Sequence, residues 1–238
     1  DEGWDGAYGR NKTLPGRGSL IRREIMAIKI FELPNPKGNL PLRVAKGHFA
    51  PSHSHINYYI DLTMTKHRLS EARLAAADLA SKFRNSTVVD TILCLDGTEV
   101  LGTCMASNLT EAGIQSMNQH QTIYIATPEH TSGSQLLFRD NTAPMIVGKH
   151  VIILASSVTT GYTVQSAVDA VRYYGGITEG ICAIFTMVDE CEGFPIYSIF
   201  DTNDSIDDYW SKPAMDCPYC KAGYKLDAMV NTFGISSF

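Results

Sequence analysis

The sequence predicts an α/β fold: a parallel sheet flanked by helices, with a small hood contributed by both ends of the chain. Three observations predict it. Short β-branched runs alternate with amphipathic segments between residues 87 and 187, the pattern of right-handed βαβ units. The run 151–155 is apolar at every position, as a strand covered on both faces requires. Beyond Pro195 the alternation stops, which leaves strand-like runs at both ends to pair as a cap.

Residues 1–25 hold five glycines and five basic residues against four acids and follow neither secondary-structure period. Met26 opens a strand-like run at 27–33, so it reads as the native start, with 1–25 as an expression-derived or disordered arm. Segment 26–60 is expected to form the N-terminal hood, 61–190 the core, and 191–238 the C-terminal hood and tail. Leu69, Ala72, Ala76, Leu79 and Ala80 recur at helical spacing and predict a helix over 67–84. A β-branched strand over 87–95 ends at Asp96-Gly97, followed by a helix over 99–109 and a strand over 122–126. The polar segment 127–148 is long enough that only a functional loop justifies it. A strand over 150–155, a turn at 156–162 and a helix from Thr163 to Tyr174 come next, with Gly175-Gly176 closing the helix. Strands over 177–187 and 196–200 precede an acidic turn and Cys217-Pro-Tyr-Cys220.

The 238 residues carry 20 basic and 25 acidic side chains, a net charge of −5. That balance tells against nucleic acid and against anionic lipid, both of which demand clustered Lys and Arg. No apolar run approaches the ~18 residues of a membrane helix, and no leader pattern is present, so a cytoplasmic protein is expected. Six cysteines are too few for a disulfide framework at this length, and Cys94 and Cys104 read as core thiols.

The chemistry concentrates in Val151-Ile-Ile-Leu-Ala-Ser-Ser-Val-Thr-Thr-Gly-Tyr-Thr163. A buried strand delivers a hydroxyl- and glycine-rich turn to a helix N-terminus, where free N–H groups and the helix dipole favour an anion. An ordinary βα turn capped by Thr163 is the plainer alternative. The segment resembles the phosphoribosyl diphosphate (PRPP) motif of type I phosphoribosyltransferases, in which four apolar residues and two acids precede Thr-Thr-Gly-x-Thr. Residues 42–48 and 58–61 are similar to the N-terminal region of the orotate branch, 91–97 to its pyrophosphate loop, and 121–126 with the following loop to its mobile catalytic segment. The resemblance implies that Thr159, Thr160, Gly161, Tyr162 and Thr163 bind phosphate. It also implies that Ala155, Ser156 and Ser157 line the ribose, that Asp96, Gly97, Thr98 and Glu99 border pyrophosphate, and that Lys46, Gly47, His48 and Phe49 face the base. It implies Mg2+ arriving with PRPP, a homodimer, and a role in nucleotide metabolism.

Two departures accompany the match. The motif's paired acids fall at Ala155 and Ser156, and a hydroxyl cannot supply a carboxylate's charge to a cationic ribosyl centre. Between residues 85 and 148 the only basic residue is Arg139, against Asp90, Asp96, Glu99, Glu111, Glu129 and Asp140. Arg43, Lys46 and Lys149 lie outside that interval as further cations. The expectation is therefore an orotate-like phosphoribosyltransferase homologue, with a catalytically degenerate PRPP- or nucleotide-sensing protein on the same fold as the alternative.

Cys217 and Cys220 have zinc-knuckle spacing but supply only half of a four-ligand site. Cys191 and Cys182 are the nearest cysteines to complete a structural Zn2+ site; idle thiols or a disulfide are the other readings. His53 and His55 could turn two imidazoles to one side of a strand, although a solvated loop is the plainer assignment.

Overall fold

The computed structural model describes residues 28–35, 38–111, 117–118, 122–131, 135–202 and 206–238. The readings of Met26 and of the 1–25 arm lie outside the described residues. In chain order, strands β1 (Phe31–Leu33), β2 (Leu42–Ala50) and β3 (His55–Asp61) lead into helices α1 (Thr63–His67) and α2 (Leu69–Ser81). Then follow β4 (Thr91–Cys94), α3 (Glu99–Thr110), β5 (Tyr124–Ala126), β6 (Glu129–His130), β7 (Leu136–Leu137), β8 (His150–Val158), α4 (Tyr162–Tyr173) and β9 (Ile177–Thr186). The chain finishes with β10 (Glu190–Cys191), β11 (Phe194–Asp201), β12 (Ser211–Lys212), a one-turn helix α5 (Pro218–Lys221), β13 (Ala228–Asn231) and β14 (Gly234–Ser237).

The central sheet runs β10-β11-β9-β8-β4-β5, parallel throughout except for the β10–β11 hairpin. Strand β8 lies inside it, and alternation along β8 decides which layer each side chain joins. Ile152 and Leu154 pack with Ala72, Ala76, Leu79, Leu101 and Met105 of α2 and α3. Val151, Ile153 and Ala155 pack with Val164, Ala167, Val168 and Val171 of α4 on the opposite face. Two buried layers on one parallel sheet account for the uninterrupted apolar run at this strand.

The second sheet, β12-β3-β2-β13-β14 with β1 also on β2, draws on both ends of the chain. Its own core is Ala45, Phe49, Ile56, Tyr59, Ala228 and Val230. Register shifts between Lys46 and Phe49, so Gly47 and His48 form a bulge. A Cβ on Gly47 would meet the Asp227 carboxylate at 2.7 Å, and that close approach demands glycine.

Several elements depart from the sequence expectation. The helix expected over 67–84 is the shorter α2 (Leu69–Ser81), because Arg68, extended at φ −86°, ψ 114°, separates it from α1, which the sequence does not predict. Strand β8 runs three residues past Ala155, carried by the pairs Ser157↔Phe185 and Val158↔Thr186. The 127–148 segment is partly anchored: Leu136, Phe138 and Ile146 are buried, and the Tyr174 hydroxyl bonds both the N–H and the C=O of Phe138 at 3.1 Å. Cys217 is the N-cap of the one-turn helix α5, within the Cys-Pro-Tyr-Cys run. Among the described residues, no helix is long and apolar enough to cross a membrane.

Candidate functional site

Strand β8 ends at the carboxyl edge of the parallel sheet, and residues 159–161 turn the chain into α4. Gly161 is the N-cap, at φ 82° and ψ −12°, in the left-handed region that glycine enters without penalty. No side chain caps this helix, and its first N–H groups have no acceptor within the helix. The hollow they face is small, about 40 Å³, and is lined by residues 157–164. Thr160, Tyr162 and Thr163 are exposed around it, while Thr159 and Gly161 are half-buried. Such a turn can hold one phosphate-sized anion through backbone N–H groups and threonine hydroxyls.

Asp96 and Gly97 follow β4 on the same edge, both left-handed at φ 57° and 75°. Thr98 is fully buried and donates its hydroxyl to the Leu95 and Leu154 carbonyls at 2.8 and 3.1 Å, locking the loop to β8. Of the ribose-side positions, Ala155 and Ser156 are buried and Ser157 is half-buried. The Ser156 hydroxyl donates to an Asp96 carboxylate oxygen at 3.5 Å, so a carboxylate from the neighbouring loop stands beside a position where the resembled motif carries its own acid. Burial pushes the Asp96 carboxyl above the usual carboxylate range, offset in part by Lys66, His130 and Ser156.

Lys66 is the residue that sequence reasoning missed. Only 5% exposed, it donates its ammonium to the Asp96 carbonyl at 3.0 Å and to the Thr232 carbonyl at 2.7 Å. Burial lowers its pKa, opposed by the charges of Asp96, Glu99 and Asp61. A lysine on a short polar helix reads as solvated, and no local signal announced its burial. The other cations are engaged elsewhere. Arg43 forms a fork on Glu71 at 2.7 and 3.0 Å, Lys46 pairs with Asp208 at 2.8 Å, and Lys149 sits over the Tyr124 ring at 5.9 Å. Arg139 forms a fork on Glu129, at 2.7 Å through both nitrogens.

The positions expected to face the base divide. Lys46 is exposed, but His48 and Phe49 are buried at 3% and 0% exposure, because the bulge turns His48 inward. Nearer the sheet, a cavity of about 320 Å³ opens between Met187, Thr202, Ile206, Asp207 and Tyr209, past the ends of β9 and β11. Carboxyl edges of parallel strands are where open α/β sheets receive ligands.

The cysteines are also redistributed. The Cys191 thiol lies against Gly161, 3.8 Å from its carbonyl oxygen, rather than beside Cys217 and Cys220. Cys182 is buried in the sheet core. The side chains that meet Cys217 and Cys220 are His48 and His55, with all four ligand atoms within 4.8 Å of one another. His53 is not part of this group.

Fold and site together define a parallel α/β protein with an anion-ready turn on one sheet edge, and a buried Lys66 bonded to the main chain of the Asp96 loop beside it. No family profile and no curated protein matches the sequence. Among solved structures, the chain is similar to a phosphoribosyltransferase from Corynebacterium diphtheriae, at 18% identity and TM-score 0.46, covering 66% of this chain and 90% of that one. It is also similar to orotate phosphoribosyltransferase from Mycobacterium tuberculosis H37Rv in complex with inorganic phosphate, at 17% identity and TM-score 0.46, over 62% and 80% of the two chains. Adenine phosphoribosyltransferase from Rhodothermus marinus matches at 15% identity and TM-score 0.45, over 74% and 97%. Orotate and adenine phosphoribosyltransferases are both among the structures it resembles.

Proposed function

We propose that the chain binds a phosphoribosyl compound, with PRPP as the reference ligand, and transfers its phosphoribosyl group to a nucleobase in the orotate manner. The observation that carries this reading is the strand–turn–helix at β8 and α4, with Gly161 left-handed and the helix start uncapped by any side chain. The 5-phosphate would accept hydrogen bonds from residues 159–163, leaving the ribose near Ser156 and the diphosphate near Asp96 and Glu99. In the transfer, the bond from ribose C1 to pyrophosphate breaks and a bond from C1 to a base nitrogen forms. That nitrogen's proton passes to solvent. The Asp96 carboxylate would offset positive charge on the ribose, and Lys66 would offset negative charge on the departing pyrophosphate. Mg2+ would enter as part of the PRPP substrate, with Asp96 and Glu99 as oxygen donors of the kind it takes. The cavity beside Tyr209 is of a size to admit a base. A cytoplasmic homodimer belongs to the same reading.

Titration calorimetry with ribose 5-phosphate and with PRPP tests the binding half, and binding of neither would overturn it. A pyrophosphate-release assay across nucleobases tests the transfer half.

A second reading, a PRPP- or nucleotide-sensing protein without turnover, is favoured by the identities of residues 155 and 156. Alanine and serine stand there in place of two acids, and Lys66 already serves two carbonyls. Tight PRPP binding without pyrophosphate release on any base would select it.

A further inference from the structure

Cys217 caps α5, and Pro218 occupies its first turn, so Cys217 and Cys220 project one helical turn apart toward the same side. The β2 bulge sends His48 toward them, and His55 opens β3 next to it. His48 Nε2 lies 3.0 Å from His55 Nδ1, 3.3 Å from Cys217 Sγ and 3.7 Å from Cys220 Sγ, while Cys220 Sγ lies 3.2 Å from His55 Nδ1. One ring nitrogen makes one hydrogen bond, so three heteroatoms converging on Nε2 are not explained by hydrogen bonding. They lie close to the edges of a tetrahedron. Zinc with nitrogen ligands near 2.0 Å and sulfur ligands near 2.3 Å sets ligand–ligand separations of about 3.3–3.8 Å. The 3.0 Å nitrogen pair and the 3.2 Å Cys220–His55 contact therefore need open by only a few tenths of an ångström.

The surroundings fit the same assignment. His48 Nδ1 meets the Lys225 carbonyl at 3.1 Å, which holds the ring as the tautomer with Nε2 free to coordinate. The His48 backbone N–H, released from the ladder by the bulge, donates to Asp227 at 2.7 Å. Tyr219 packs edge-on against His48, and Trp210 and Tyr224 pack edge-on against Tyr219, so aromatic rings wall one side of the group, while Cys220 stays exposed on the other.

We propose that His48, His55, Cys217 and Cys220 form a closed four-ligand Zn2+ site that fastens the C-terminal segment to the β2–β3 hairpin. Four protein ligands leave no open position, so the ion is structural. It links residues 169 positions apart in sequence, Cys217 and His48, across a hood with a small core of its own. The site stands independently of phosphate binding and of any transfer activity.

The test is metal analysis of the full chain purified without added zinc, alongside a Cys191→Ser variant and a Cys217→Ser/Cys220→Ser double variant. The expected result is about one zinc per chain in the wild type and in Cys191→Ser, and none in the double variant. Should the double variant fail to fold, the wild type still decides the matter. Co2+ exchanged into it should give the intense visible bands of a tetrahedral thiolate–imidazole site, and a chelator should lower its melting temperature. A Cys217–Cys220 disulfide by intact mass, a chain that takes up neither Zn2+ nor Co2+, or zinc retained without both cysteines would each overturn the proposal.

Discussion

Replacing Gly161 with alanine separates the backbone demand of the phosphate turn from its binding role. At φ 82° an L-residue is strained, at about 1–2 kcal/mol. Space is not the obstacle, because the new Cβ would meet the Cys191 sulfur at 3.7 Å, an ordinary contact. The other end of the same helix supplies the control. Gly175 is left-handed at φ 74°, with nothing within 4 Å of an added Cβ. It closes α4 in a Schellman arrangement, with the Gly176 N–H on the Val171 carbonyl at 2.8 Å and the Gly175 N–H on the Arg172 carbonyl at 3.0 Å. Gly161→Ala and Gly175→Ala should therefore cost similar stability, a melting-temperature loss of about 2–8 °C each at roughly 2–4 °C per kcal/mol. Their effects on ligand should part. Relieving the strain shifts the backbone of Gly161, which lines the 40 Å³ hollow, and displaces an N–H that the anion would use. The loss is about one charge-assisted hydrogen bond, or about 10- to 100-fold in affinity for ribose 5-phosphate. Differential scanning fluorimetry reads the first quantity and calorimetric titration the second. Wild-type affinity in Gly161→Ala, or an equal affinity loss in Gly175→Ala, would refute the reasoning.

Asp96→Asn tests the buried carboxyl by pH. Its folded pKa is raised, so the folded state binds more protons as pH falls through that pKa, and the carboxylate costs stability above it. The variant should be more stable than wild type at neutral pH, with the gap closing as pH falls and vanishing below ~4, as followed by urea denaturation across pH; a gap independent of pH would contradict this. Lys66→Met leaves the Asp96 and Thr232 carbonyls without their donor and should destabilise by about 2–3 kcal/mol, again by urea denaturation, whereas an unchanged midpoint would show that the ammonium is not buried in the folded protein. Gly102→Ala places a Cβ 2.5 Å from Cys94 Sγ and should cost about 1–3 kcal/mol, most of it recovered in the Gly102→Ala/Cys94→Ala double variant; additive losses would break the link.

The core of this fold was legible because its signals are local. Strand β8, helix α4 and strand β9 carry their periods and their closing glycines within some forty consecutive positions, and the anion-ready turn lies among them. What escaped depends on pairing across long sequence distances. The extra length of β8 comes from its register with β9, and nothing within residues 156–158 encodes it. One of the two carbonyls that hold the buried Lys66 ammonium belongs to Thr232, 166 residues away. Cys217 and Cys220 meet not further cysteines but His55 and the His48 that the bulge at Gly47 turns toward them from a distant hairpin. Nor could composition show that Arg43 and Lys46 are held by Glu71 and Asp208.

Phosphate binding at the start of α4 is tested most directly by titrating isotope-labelled protein with ribose 5-phosphate and following assigned backbone amide resonances. The expected result is saturable, concerted shifts of Thr160, Gly161, Tyr162 and Thr163, with Asp96 and Ser156 responding when PRPP replaces ribose 5-phosphate. Saturable shifts confined to other parts of the chain, or no shifts at millimolar ligand, would contradict it.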